Sequence, residues 1–405
     1  MPNLPTYDLA EVRRAFPLAE RLTYLNHASI SPVPEPARRA MQTALQRLGD
    51  DPSTLYGDDP LLGNVFATFT EEMATLVNAA ALHEIVGVQS TSAALNMIAH
   101  AVPWHTGDNV IFSRVEFPSN AYPWMALERS GVRCRIVPDD GGGGPSVEAF
   151  APYVDAHTRV IAVSAVQFFT GHRADLAALG AFCRERGILF VVDAIQAAGH
   201  MPIDVQAMQI DVLAAGGQKS LMGVPGQGFL YVREEVAEQM RPATVGPNAT
   251  RDWDFWLDYD MTPREGALRF AMGTPNIVGM VGVRESVRFL RALGLAAIDA
   301  WTQHLSQLAA EDLRARGCTV ITPPAPHLGP IVTFRLRDPD PDDTDALAAA
   351  EAETVAFQRF LAERGVRVTK HWDARRVPHL RISTHCYNTE DEVLQVGRLL
   401  EEHRA

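Results

Sequence analysis

The chain has 405 residues, of which 47% are hydrophobic and 21% charged, too many for one compact core and too apolar for a disordered protein. Its 36 Lys+Arg against 49 Asp+Glu leave a net charge of −13, which repels phosphate backbones, and no local basic patch offsets it, so no nucleic-acid partner is expected. The four cysteines, Cys134, Cys183, Cys318 and Cys386, form no CxxC pair and suit a reducing compartment better than a disulfide frame or a zinc site.

At the start of the chain Asp8, Glu11, Arg13 and Arg14 interrupt any apolar run, so no signal peptide is expected. The uncharged stretch 85–107 holds the polar cluster Gln89, Ser90, Thr91, Ser92 and Asn96, which a bilayer would penalise, so no membrane span is expected and the cytoplasm is the expected location. That cluster (89–96, QSTSAALN) follows an apolar strand-like stretch and opens a helix, where Thr91 and Ser92 either cap it or bind an anion. Residues 139–145 (DDGGGGP) read as a surface loop.

From 157 onward apolar strands alternate with a helix. The runs 160–166 (VIAVSAV) and 188–192 flank a helix capped by Asp175, striped by Leu176, Leu179 and Phe182, and stopped by Gly187. Continuous β-branched runs mark strands buried on both faces, and 212–215 and 228–232 add two more. The expected fold class is therefore α/β, a large, doubly wound, mostly parallel sheet with its ligand crevice at the strands' carboxyl ends. Trp253, Trp256 and Tyr259 make an aromatic loop near the domain junction. Past 282 the pattern predicts helices over 283–293 and 298–316, a strand over 331–336, a charged Pro-punctuated loop over 338–345 and a helix over 346–364. Strands over 366–368 and 379–383 follow, then a terminal helix with Thr389 and Glu392 as a capping box. The expected domains are a large one over 20–265 and a smaller α+β one over 266–405 with 1–19.

Certain polar residues stand out against this frame. Asp193 ends an apolar run, so it is a desolvated carboxylate that either caps and ion-pairs or holds a proton on a cofactor nitrogen. Lys219, after a strand and the pair Gly216-Gly217, is either a loop lysine or an amine of lowered pKa able to form a Schiff base with a carbonyl. A phosphate loop of the GxxxxGK[ST] type is only weakly signalled there because its first glycine is missing. Thr274 caps a helix or donates to a phosphate, and Arg381 in an apolar strand needs a carboxylate from the protein or from a substrate. The histidines lack the spacing of a metal site, so no metal is expected, and no G-x-S-x-G elbow supports a serine hydrolase.

Taken in order, Tyr24-Leu25-Asn26-His27-Ala28, Glu116-Phe117-Pro118-Ser119-Asn120, Asp193-Ala194-Ile195-Gln196, Gly217-Gln218-Lys219, Gly273-Thr274-Pro275-Asn276 and Arg381-Ile382-Ser383 make the chain resemble the class V aminotransferases. These are pyridoxal-phosphate enzymes of fold type I, and they include cysteine desulfurases and selenocysteine lyases. The resemblance implies pyridoxal 5'-phosphate as cofactor, with Lys219 forming the Schiff base and then shuttling protons, and with Asp193 keeping the pyridine nitrogen protonated. It places Gln196 at the phenolic oxygen, Phe117 on the ring, and Thr91, Ser92 and Gln218 at the phosphate. It implies a homodimer in which Thr274 reaches the neighbouring active site. Arg381 would clamp the carboxylate of a small amino-acid substrate, and Asn26, His27 and Ser29 would line the substrate side.

The sequence departs from the desulfurase pattern. Phe117 occupies the place of a stacking histidine and cannot transfer protons. No cysteine lies between Gly365 and Arg381, where desulfurases carry a mobile one, so their route to a persulfide is missing. Phe168 stands near the place of a substrate-binding asparagine, and Gln218 in that of a histidine. Transamination, which needs only the electron sink, Lys219 and Arg381, is the first expectation; a β-eliminating C–S lyase is the second and an amino-acid epimerase the third.

Overall fold

The computed structural model describes residues 5–138, 144–251, 255 and 257–405. Seven strands form the large sheet: Ile85–Val88 (β1), Asn109–Ser113 (β2), Arg133–Val137 (β3), Thr158–Ser164 (β4), Leu189–Asp193 (β5), Val212–Gly216 (β6) and Gly228–Val232 (β7). Their order is β1-β7-β6-β5-β4-β2-β3, parallel throughout except at β7, which is antiparallel to both its neighbours. The continuous apolar runs are explained by two cores. Ile161 and Val163 of β4 and Phe190 and Val192 of β5 pack on one face, while Val160, Ala162 and Val191 pack on the other. A strand that feeds both faces has no polar side to alternate with.

Register brings the carboxyl ends of three neighbouring strands together, since Ser164 of β4 pairs with Asp193 of β5, and Asp193 with Ala214 of β6. The helix Leu176–Arg186 between β4 and β5 starts on the Asp175 side chain and ends at Gly187, whose φ of 64° suits a residue without Cβ. A second sheet is built from Thr319–Val320 (β8), Ile331–Arg335 (β9), Thr369–Trp372 (β10) and Pro378–Ser383 (β11), antiparallel in the order β10-β11-β9-β8. Helices Leu295–Ala315, Thr344–Glu363 and Glu390–Arg404 share its core, and the Thr389/Glu392 capping box forms as expected.

The packing departs from the expected domain limits at both ends. Leu25 belongs to the core of the second sheet, and Thr23–Tyr24 pairs with Val366–Arg367, so the segment after 20 joins the smaller unit. Ile277, Met280, Val283 and Val287 pack into the core of the large sheet, so the larger unit runs past 266. The helix there spans Ile277–Leu293 and starts earlier than its apolar stripe suggests, because Gly279 and Gly282 hide its first turns. Gly282 lets two helices approach closely: a Cβ there would lie 2.4 Å from the Met41 sulfur of the helix Glu35–Asp50. Its cap is Asn276, which accepts from the Gly279 N–H, and not Thr274. Trp253, Trp256 and residues 139–143 of the predicted Gly-rich loop lie outside the described residues. Among the described residues no helix is long and apolar enough to cross a membrane.

Candidate active site

A cleft of about 330 Å³ opens at the carboxyl ends of β5 and β6 and is closed on its far side by the second sheet. One end is polar. Ser90 caps the helix Thr91–Ala101 by accepting from the Ala93 N–H, and Ser90, Thr91, Ser92, Ser119 and Gln218 all line the space before that helix start. The Thr91 hydroxyl accepts from the Gly216 N–H at 2.8 Å, which ties the helix to the end of β6 and leaves its own proton to donate. The Ser92 and Ser119 hydroxyls lie 2.7 Å apart. Hydroxyls, one amide and free helix N–H groups make a site for a phosphate dianion.

The middle of the cleft holds the two ionisable groups singled out in the sequence. Asp193 is 2% exposed and accepts from the Ile195 N–H. Burial pushes its carboxyl up to about 7, against that hydrogen bond, with the nearby Glu116 raising it further and Lys219 lowering it. Lys219 lies in the turn that leaves β6, and burial brings its amine down to about 8, with Asp193 opposing and Arg381 assisting. Gly217 makes that turn possible, since a Cβ would sit 2.6 Å from the Gln227 carbonyl. Ser220, next to Lys219, donates to the Ile195 carbonyl and accepts from His385 Nε2. Phe117 stands half open at the mouth, its ring centroid 5.1 Å from Lys219 Nζ and 5.0 Å from that of Phe168. It is carried by Glu116, a buried carboxylate fixed by Ser164, Gln167 and Asn120.

The remaining end belongs to Arg381 of β11. Its guanidinium is 2% exposed and donates to the Phe168 carbonyl at 2.6 Å and to Ser29 Oγ at 2.9 Å, while Nε has no partner. Among the described residues no carboxylate pairs with it, and burial lowers its pKa to about 10. Of the two anions considered from the sequence, the structural one is absent. A buried cation in this condition calls for an anionic ligand.

Not every residue named from the sequence reaches the cleft. Ser29 lines it, but Asn26 does not; its side chain accepts from Thr369 and its backbone bridges to Ser383. His27 is turned inward, 1% exposed and bonded to Ser31, with its ring packed near those of His385 and Tyr387. Gln196 is also off the cleft surface, and its amide donates to the Ala28 carbonyl, so it supports the wall that Ala28 and Ser29 form. Thr274 is exposed and absent from this chain's cleft. Conversely the cleft contains His371, on β10 beside Arg381, a residue that no spacing in the sequence singles out.

Comparison with known proteins fits this geometry. The family model for class V aminotransferases matches residues 23–396. A probable cysteine desulfurase of Methanothermobacter thermautotrophicus is 29% identical over 97% of both chains. An apo cysteine desulfurase structure from Thermococcus onnurineus superposes with a TM-score of 0.82 at 24% identity, covering 99% of each chain. The structure of a cystine C–S lyase with its product cysteine persulfide superposes with a TM-score of 0.80 at 21% identity, covering 95% of this chain and 98% of that one.

Proposed function

Since the chain belongs to the class V aminotransferase family of pyridoxal-phosphate enzymes, we propose that its reaction is β-elimination from an amino acid carrying a sulfur leaving group on Cβ. The donor set fits the cofactor. The hydroxyls and helix start at Thr91 and Ser92, with Gln218, hold its phosphate; Asp193 holds its ring nitrogen; Phe117 covers the ring; and Lys219 attaches it. When bound, pyridoxal phosphate supplies the sink for the electron pair left at Cα. The protein's own steps follow from the geometry. Arg381 holds the α-carboxylate, Lys219 takes the Cα proton, and the Cβ–S bond breaks with its electron pair passing to sulfur. Gln196 also supports the site through the Ala28 carbonyl.

The observation that carries this reading is a cleft complete for α-proton removal that contains no thiol. Cys183, Cys318 and Cys386 are buried, Cys134 lies on β3, and none lines the cleft. Burial pushes the thiols of Cys134 and Cys183 up to about 12, so neither is a nucleophile near neutral pH. Sulfur therefore leaves with the substrate's own leaving group. The desulfurase name of the curated relatives favours C–S cleavage over the transamination first expected from the sequence. Incubation of the holoenzyme with S-alkylcysteine should release pyruvate and ammonia in equal amounts, with a thiol. Stoichiometric conversion to a keto acid and the pyridoxamine form of the cofactor would restore the transaminase reading.

Arg381→Ala should lower kcat/KM by about 10²–10³-fold, mostly through KM, the cost of removing one partner of a buried charge pair. Arg381→Lys should recover only part of this, since an ammonium cannot form the two-pronged contact; steady-state kinetics would show both. Thr274 completes the phosphate end of a second copy's cleft in this reading, which fits its exposure. Light scattering should then give twice the chain mass; a monomer retaining full activity would contradict the shared site. The free cysteines accord with a cytoplasmic setting.

A further inference from the structure

The substrate end of the cleft has two unpartnered polar side-chain atoms, Nε of Arg381 and Nε2 of His371. The first is explained by the substrate carboxylate. The second is not used by any step described so far.

His371 is placed by strand register. Thr369 pairs with Arg381 across β10 and β11, and His371 lies two residues further on, so its side chain emerges on the same face of the sheet as Arg381. Its ring meets Phe168 edge-on at 5.8 Å and Phe169 at 6.4 Å. Phe168 in turn touches Phe117, and Phe117 faces Lys219, so a row of rings fixes the imidazole across the cleft from the amine. Its buried Nε2 has no partner within the protein, and a bound ligand would supply one.

We infer that His371 is the acid that protonates the departing sulfur, an inference that rests on the elimination reading above. The step balances. The Cα–H bond breaks and its proton goes to the Lys219 amine; the Cβ–S bond breaks and its pair goes to sulfur; a proton passes from the imidazolium to that sulfur, forming S–H. Solvent then returns a proton to His371 and removes one from Lys219. In the free chain burial, then Arg381, Lys219 and His379, hold the His371 pKa down to about 4. Binding reverses one of these causes, because a substrate carboxylate neutralises Arg381. A bound carboxylate therefore favours the protonated imidazole more than the free chain does. Leaving groups that depart as weak bases do not need it, whereas an alkyl thiolate does, which defines the substrate class as S-substituted cysteines whose thiol is a poor leaving group.

The test compares two substrates of the holoenzyme, S-ethylcysteine, whose sulfur must be protonated, and β-chloroalanine, whose chloride need not be. His371→Phe and His371→Gln should each lower kcat on S-ethylcysteine by about 10²-fold while changing initial rates on β-chloroalanine less than about threefold. Cofactor absorbance in each variant reports that the site is intact. Equal losses on both substrates, or none on either, would overturn the role of His371 and leave the elimination reading standing. A wild-type enzyme that releases pyruvate from neither substrate would overturn both together.

Discussion

Lys219→Ala is expected to reduce turnover by about 10³–10⁴-fold, the upper part of the range for loss of an acid–base group and larger than for any other single substitution. The reason lies in how few groups the cleft offers for proton transfer at Cα. Phe117 stands at the mouth beside Lys219, and it has no proton to give. Arg381 stays charged through the neutral range even though burial lowers it to about 10. In the proposed mechanism Asp193 is committed to the ring nitrogen and His371 to the sulfur, which leaves the Lys219 amine, brought down to about 8 by burial, to take the Cα proton. A small added amine should restore part of the variant's rate by diffusing into the vacated space, whereas a variant damaged in folding would not respond.

Asp193→Asn is expected to move activity and stability in opposite directions. In the proposed holoenzyme the carboxylate would hold a protonated ring nitrogen, a pairing worth on the order of 4 kcal/mol at about 4 Å and an effective dielectric near 20. An amide forfeits most of this, so kcat should fall by about 10³-fold. In the cofactor-free chain the same carboxylate is a liability. Its folded pKa of about 7 lies above the unfolded value of about 3.9, so the folded state keeps a proton that the unfolded state gives up. The associated stability is present below pH of about 4 and is lost as pH rises to 7. Lys219 acts in the other direction at higher pH. Its folded pKa, about 8, lies below the unfolded value, so stability returns as pH rises from 8 towards 10. Thermal unfolding of cofactor-free Asp193→Asn should therefore run several degrees above wild type at pH 8, with the gap closing as pH falls towards 4. A variant less stable than wild type at pH 8 would mean that the carboxylate is not desolvated.

What was legible in the sequence was whatever leaves a local signature. Strands β4 and β5 could be read because burial on both faces removes polar residues from the run, and the helix between them because Asp175 and Gly187 mark its ends. Lys219, Asp193 and Arg381 could be read because charge in an apolar setting demands a partner. What depends on long-range register could not. His371 enters the cleft only because β10 pairs with β11 in the register that sets Thr369 opposite Arg381, and no spacing along the chain records that pairing. His27 and Asn26 sit in a motif one and two residues ahead of Ala28, which lines the cleft, yet the turn at Ala28, held by Ser383, sends their side chains elsewhere. Gln196 follows Asp193 closely, but its amide is consumed by the Ala28 carbonyl. The helix Ile277–Leu293 was half hidden for a related reason, since Gly282 answers to contact with Met41 and Gly279 to contact with Asn276, and both weaken the helical pattern that would otherwise announce it.

Reduction of the holoenzyme with borohydride, followed by digestion and mass mapping, tests the central claim most directly. One peptide, the one containing Lys219, should carry the mass of the reduced cofactor, and the Lys219→Ala variant should carry none. A cofactor fixed on Lys370, the lysine paired with Glu351 on the second sheet, or recovered wholly unattached from the wild-type protein, would contradict the site described above.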